Sequence, residues 1–184
     1  MSAIAQLAIE LGAPERTLRR AVALGSVRAR RLSERRLRLT TEEREYQRGH
    51  WALLADLRSA LRTEPAVRTA VLVGSTARGD DVALSDIDLI VDLAEGDALA
   101  RQRLGMRLGD RIGRSVDVAD LTKMMGDDPL SLLQALDEGR PLVDRTGKWH
   151  RLLQQRPAVY RRAARSYRQQ RRRATPILER VVSA

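Results

Sequence analysis

Asp86 and Asp88 stand one residue apart, directly before the apolar run Leu89-Ile90-Val91. In a strand, residues two apart share a face. The two carboxylates would then project together while Ile87 and Leu89 face the other way. Adjacent carboxylates repel unless a cation lies between them, and this spacing suits a hard divalent ion such as Mg²⁺. The plainer reading makes one Asp a turn residue and the other a surface residue. A third carboxylate, Asp117, sits in Val116-Asp117-Val118. If that segment pairs beside the first, Asp117 completes a cluster of three. Asp120 has the wrong parity and is expected to cap the next segment. Gly74-Ser75 follows the β-branched run Val67–Val73. A strand entering a Gly-Ser turn and then a short helical turn offers free N–H groups and a hydroxyl, a cradle for phosphate oxygens. Arg78, three residues on, could touch phosphate or brace the turn.

Several elements must hold these residues in place. Residues 67–73, the run after Asp88, and residues 113–121 read as strands. Residues 96–112, with Leu104, Leu108 and Ile112, read as a helix packed on their sheet. Thr40 followed by Glu43 is a capping-box signature. It opens a helix to about Leu61, which Pro65 ends. Upstream, residues 2–11 read as a short helix and Gly12-Ala13-Pro14 as a turn. A second helix then starts at Pro14 and ends at Gly25, with Leu18 and Val22 inward. Val27–Leu32 and Leu37–Leu39 alternate apolar residues with Arg around a polar break, as a hairpin does. At the other end, residues 149–155 read as helical. Pro157 starts a helix to about Thr175, which Pro176 interrupts. Arg161, Arg165, Arg168 and Arg172 form one stripe along it, near Tyr160 and Tyr167. Ile177, Leu178, Val181 and Val182 could dock on the body or on a second copy of the chain, which would make a homodimer.

The charge is unevenly distributed along the 184 residues. Residues 1–50 carry net +5, residues 51–148 net −4 and residues 149–184 net +9. Arg supplies 32 of the 34 basic residues, and its planar donor fork suits phosphate. Coding bias could give the Arg excess, but not the segmental asymmetry. Basic arms suggest a polyanion partner, and an acidic middle suggests a cation site. Cysteine is absent, which excludes disulfides, thiolate metal sites and cysteine nucleophiles. No apolar run approaches the roughly 20 residues that span a bilayer. No basic segment followed by an apolar one opens the chain, so a cytoplasmic protein is expected.

Helix, tight turn, basic helix and basic hairpin, in that order, resemble a winged helix-turn-helix. That resemblance puts Arg16, Thr17, Arg19 and Arg20 of the second helix at the major groove of DNA. The hairpin residues Arg28, Arg30, Arg31, Arg35, Arg36 and Arg38 would lie on its backbone. A helical hairpin with a solvated basic face is the alternative.

Gly74-Ser75-x-x-Arg78-Gly79, Ser85-Asp86-Ile87-Asp88-Leu89 and Val116-Asp117-Val118 together resemble the minimal nucleotidyltransferases of the polymerase-beta-like superfamily. The resemblance spans about residues 51–146 and includes Leu136-Asp137-Glu138-Gly139-Arg140-Pro141-Leu142 as a closing helix and strand. It implies an α+β fold with a mixed sheet. It also implies two Mg²⁺ ions held with a nucleoside triphosphate by Asp86, Asp88 and Asp117, the last also helping to activate the acceptor hydroxyl. Gly74, Ser75, Arg78 and Ser85 are then the nucleotide-binding residues. Thr76 departs from the pattern, since many relatives carry Arg there. The implied domains are a winged helix-turn-helix (1–42), a transferase (43–148, with 43–64 a connecting helix) and a basic C-terminal helical arm (149–184). The implied reaction moves a nucleoside monophosphate, AMP from ATP or another NTP, to a hydroxyl of a protein or RNA. Similar proteins are often antitoxins that modify a HEPN-type ribonuclease, and a DNA-binding module would permit autoregulation. The alternatives are a regulator that senses nucleotide and a toxin that modifies tRNA.

Overall fold

The computed structural model describes residues 2–33 and 37–182, with side chains through Gln170. The N-terminal elements are α1 (Ala3–Glu10), α2 (Glu15–Leu24) and a two-strand ribbon, β1 (Arg30–Arg31) with β2 (Leu37–Arg38). Ser2 caps α1 through its side chain, and Gly25 ends α2 in the left-handed conformation at φ 98°. Pro14 precedes α2 as its N-cap rather than opening its first turn. Among the described residues the ribbon pairs Arg30 with Arg38 and Arg31 with Leu37. Arg35 and Arg36 lie outside the described residues.

Then follow α3 (Thr41–Arg62), β3 (Val67–Val73), α4 (Gly74–Arg78), β4 (Ile87–Leu93), α5 (Ala98–Ile112) and β5 (Val116–Asp120). The chain continues with α6 (Leu121–Asp127), α7 (Pro129–Glu138), β6 (Arg140–Asp144), α8 (Lys148–Gln154) and α9 (Arg156–Val182). The main sheet has the order β5-β4-β3-β6. β4 and β5 run parallel and the other pairs antiparallel, so the sheet is mixed and the fold α+β, as expected.

Strand alternation sends side chains to two cores. Ala70, Leu72, Ile87, Leu89 and Val91 pack against Leu54, Leu57 and Leu61 of α3 and Leu104 and Leu108 of α5. Val71 and Ile90 pack on the opposite face with Leu121, Leu132, Leu136, Trp149 and Val159 of α6 to α9. A third cluster, Ile4, Leu7, Leu18, Ala21, Val27 and Leu39, closes the N-terminal module, with Trp51 of α3 packed against it. One helix, α3, therefore serves two clusters.

Pro176 does not interrupt the last helix, which runs through it to Val182. Proline's fixed φ is close to the helical value, so a helix can carry it at the loss of one hydrogen bond. The side chains of Arg172, Ile177, Leu178, Val181 and Val182 lie outside the described residues. Among the described residues no helix is long and apolar enough to cross a membrane.

Candidate functional site

The site forms where β3 gives way to α4. The register pairs Val73 with Asp88 at the end of β3, and α4 begins at the next residue, Gly74. The first turn of a helix leaves N–H groups without intrahelical acceptors. In α4 these belong to Gly74, Ser75 and Thr76. Gly74 has φ +71°, and a Cβ built on it would fall 2.1 Å from Asp88 Oδ2. Glycine is therefore required twice over, by its backbone conformation and by the carboxylate seated against it.

Asp88 and Asp117 are direct partners across the parallel β4–β5 pair. They share the face of the sheet that carries Ile90. Asp86 differs from expectation: β4 begins at Ile87, so Asp86 lies exposed in the preceding loop. Pairing starts at Ile87 because its N–H donates to the Ser115 carbonyl at 2.9 Å. Among the described residues no three His, Asp or Glu side chains converge as ion ligands. The expected three-carboxylate cluster is thus a backbone juxtaposition and not a closed set of ligands. Burial, then Asp117, then Asp86 push the Asp88 carboxyl above its ordinary range, and Arg78 offsets part of the rise. A half-buried carboxylate held up by two like charges is a donor set that a hard divalent cation would relieve, so these residues fit Mg²⁺ chemically.

A cavity of about 460 Å³ opens here, lined by Gly74, Asp88 and Asp117 and by Met124, Ser131, Gln134 and Glu138 from α6 and α7. A wider cavity of about 790 Å³ follows β5 and α5 and also reaches Asp117. Arg78 bridges Asp80 at 3.2 Å and Glu138 at 3.1 Å, which braces the turn against α7. Ser85 closes the loop before Asp86, its Oγ accepting from Val82 N–H at 2.9 Å. Ser75 is half-buried, and its carbonyl accepts from Gly79 and Asp80 N–H. Asp120 caps α6, accepting from Thr122 and Lys123 N–H as its parity suggested.

In the N-terminal module, Arg16, Thr17, Arg19 and Arg20 are exposed on α2. Arg19 pairs with Glu15. Thr17 and Arg20 also line a groove with Arg58 and Arg62 of α3 and Leu142 of β6. Arg28 is turned toward the body, donating to the Glu138 carbonyl. Arg30 and Arg31 are exposed on the ribbon.

Sequence reasoning missed a buried polar set beneath the site. Glu43 of α3 and Arg140 of β6 pair at 2.8 Å with about 5% and 3% of their side chains exposed. Arg140 also donates to the carbonyls of Ala77 (2.9 Å) and Ser26 (3.1 Å) and lies over the Tyr46 ring. Tyr46 donates to the Thr76 carbonyl at 3.0 Å, and burial pushes its hydroxyl up to about 12. His50 stacks on Tyr46 and lies 2.8 Å from Asp81, which Arg114 also holds. Burial opposes the charge on Asp81, but the hydrogen bonds from His50 and Arg114 outweigh it and lower its pKa. The signal available was the spacing Glu43, Tyr46, Gln47, His50, one face of a helix, polar where a core stripe should be apolar.

The sequence profile of the family described as polymerase beta, nucleotidyltransferase matches residues 55–147. No curated protein matches the chain. A solved toxin–antitoxin structure with AMP-PNP is 21% identical, covering 70% of this chain and 98% of that one at a TM-score of 0.49. A tri-AMPylated HEPN toxin in complex with MNT antitoxin from Shewanella oneidensis is 20% identical, covering 72% and 98% at 0.47. A further toxin–antitoxin structure, MntA-HepT, is 19% identical, covering 72% and 98% at 0.46.

Proposed function

The chain belongs to the polymerase beta nucleotidyltransferase family, and from that premise we propose that Asp86, Asp88 and Asp117 are its catalytic carboxylates. A member of this family is an enzyme that transfers a nucleoside monophosphate from a triphosphate and releases pyrophosphate. The observation that carries the assignment is the register of Asp88 against Asp117, with Gly74 packed on the Asp88 carboxylate. Backbone N–H groups at Gly74 and Ser75 bind the β- and γ-phosphates. Asp86, Asp88 and Asp117 would hold Mg²⁺ with the triphosphate, and Asp117 faces the acceptor hydroxyl, orients it and takes its proton as the oxygen attacks the α-phosphorus in line and pyrophosphate leaves. Bound Mg²⁺ supplies charge stabilisation for the attacking and leaving oxygens. Arg78, braced by Asp80 and Glu138, keeps the turn closed and remains near the phosphates.

ATP is the proposed donor and a protein hydroxyl the proposed acceptor. A HEPN-type ribonuclease is the partner that the resemblance to minimal nucleotidyltransferases suggests, and the chain then acts as an antitoxin. The N-terminal module binds operator DNA through α2 and the ribbon. An RNA end is a second reading, favoured by α9, where Arg161, Arg165 and Arg168 are exposed beside the exposed Tyr160 and Tyr167. The test incubates the protein with Mg²⁺ and α-labelled ATP, together with a HEPN-type ribonuclease encoded beside it or with bulk tRNA. Label on the ribonuclease supports the antitoxin reading, and label on tRNA replaces it with the second. Absence of label, with operator binding that responds to ATP, leaves only a nucleotide-sensing regulator.

A further inference from the structure

One face of α3 touches both loops that carry the site, and its residues lie outside the segment 55–147 that the family profile matches. Tyr46 Oη donates to the Thr76 carbonyl, and Arg140, gripped by Glu43, donates through Nε to the Ala77 carbonyl. Both carbonyls belong to α4, whose first residue, Gly74, lines the cavity. One turn further along α3, His50 holds Asp81, Asp81 holds Arg114, and Arg114 donates twice to the Ser85 carbonyl, at 2.6 and 3.1 Å. Ser85 immediately precedes Asp86.

The arrangement specifies direction as well as contact. A five-residue helix such as α4 has almost no stability of its own, and a loop such as 80–86 is held only by its polar anchors. Glu43 takes a fork from Arg140 and a further bond from Arg28 N–H of the N-terminal module, so Arg140 cannot swing away from Ala77 without leaving a charge unpaired.

We propose that Tyr46 and His50 are positioning residues, one for each half of the site. Tyr46, together with Arg140, aims the Gly74–Ser75 N–H groups at the triphosphate. His50, through Asp81 and Arg114, sets the loop that presents Asp86. Neither touches nucleotide. This rests on the assignment of Gly74, Ser75 and Asp86 above. The N-terminal module then serves the transferase directly, because Ser26 and Arg28 complete the same network.

The two roles separate kinetically. The phosphate turn binds ground and transition states alike, so loosening it raises KM and spares kcat. The Asp86 loop acts on the reacting centre, so loosening it lowers kcat. The full-length protein is assayed with Mg²⁺ and labelled ATP on whichever acceptor takes label, alongside calorimetric binding of AMP-PNP with Mg²⁺. Tyr46→Phe keeps the ring against His50 and Arg140 and deletes one hydrogen bond. It should weaken AMP-PNP binding and raise the KM for ATP by roughly 3- to 10-fold, with kcat unchanged. Arg140→Lys keeps the charge opposite Glu43 but loses the bond to Ala77, and should behave in the same way. His50→Ala should lower kcat by about 10-fold or more with KM unchanged. If these variants melt lower but keep wild-type KM, kcat and AMP-PNP affinity, their role is purely structural and the proposal is overturned. Asp88→Asn is run in parallel. Wild-type transfer by Asp88→Asn would remove the site assignment itself. Loss of transfer there, with the other variants unchanged, would remove only the positioning roles.

Discussion

Gly74→Ala isolates the seat of the Asp88 carboxylate from the general cost of a strained backbone. An added Cβ lies 2.1 Å from Asp88 Oδ2 and 3.0 Å from its Cγ. Ordinary contact begins near 3.4 Å, so the carboxylate must retreat by about 1.3 Å or the turn must shift by as much. The left-handed φ adds roughly 1–2 kcal/mol for a residue with a Cβ. In a chain of this length that corresponds to a fall in melting temperature of about 2–8 °C. Gly113 supplies the control. It has φ +75°, and nothing lies within 4 Å of its Cβ position, so Gly113→Ala carries the strain without the collision. Both variants should melt a few degrees lower in a thermal scan. Only Gly74→Ala should lose transfer, by about 10²-fold, the usual consequence of moving a reacting group by an ångström. The assay is transfer of label from α-labelled ATP at saturating Mg²⁺. A Gly74→Ala rate within about threefold of wild type would show that the Asp88 position does not govern the chemistry.

Asp88→Asn should abolish transfer yet raise the melting temperature of the protein in EDTA at pH 7. Burial and the charges on Asp117 and Asp86 raise the Asp88 pKa on folding, so its ionisation costs stability at neutral pH. That cost is absent below the usual carboxylate range and complete above the raised folded value, so the two proteins should converge in stability as the solution is acidified. Glu43→Ala should lower the unfolding free energy by about 3–5 kcal/mol in urea, because the buried Arg140 guanidinium loses its counter-charge. Glu15→Ala, which breaks the exposed pair with Arg19, should cost under about 1 kcal/mol in the same titration. Changing Arg16, Arg19 and Arg20 together to Ala should weaken operator binding and reduce the slope of log affinity against log salt by about 2–3. An unchanged slope would remove α2 from the DNA interface.

The catalytic half of the fold was legible because its signals are local. Val67–Val73 is rich in β-branched and apolar residues and forms a strand over those residues. The parity of Asp117 and Asp120 told their positions apart: Asp117 stands opposite Asp88, and Asp120 caps α6. Parity misled for Asp86, since where pairing begins depends on Ser115, a partner distant in sequence. Pro176 misled in the other direction, because propensity is a weak prior and the long basic helix continues through it. The least legible residue was Glu43. Thr40 and Glu43 form a capping signature, and Thr40 Oγ1 does accept from the Glu43 N–H at 3.2 Å. The Glu43 side chain, however, turns inward to Arg140, which lies 97 residues away. No local pattern announces such a partner, because the pairing exists only once β6 has been placed beside β3.

That long-range pair bears on why a transferase and a basic N-terminal module share one chain. Modules joined only by a linker would leave their facing surfaces to solvent. Here α3 packs Trp51 toward the N-terminal cluster and Leu54, Leu57 and Leu61 toward the sheet, with Glu43 and Gln47 buried between them. A buried ion pair is a poor source of stability when an apolar pair could fill the same volume. What it supplies is direction: four of the five N–H donors of Arg140 are committed to particular oxygens, two on Glu43, one on Ser26 and one on Ala77. Apolar substitutes would hold the module against the sheet but would leave the Ala77 and Ser26 carbonyls to find their own orientation. The choice of charge over packing at this junction therefore makes physical sense when the object to be fixed is the α4 turn, five residues long and unable to fix itself.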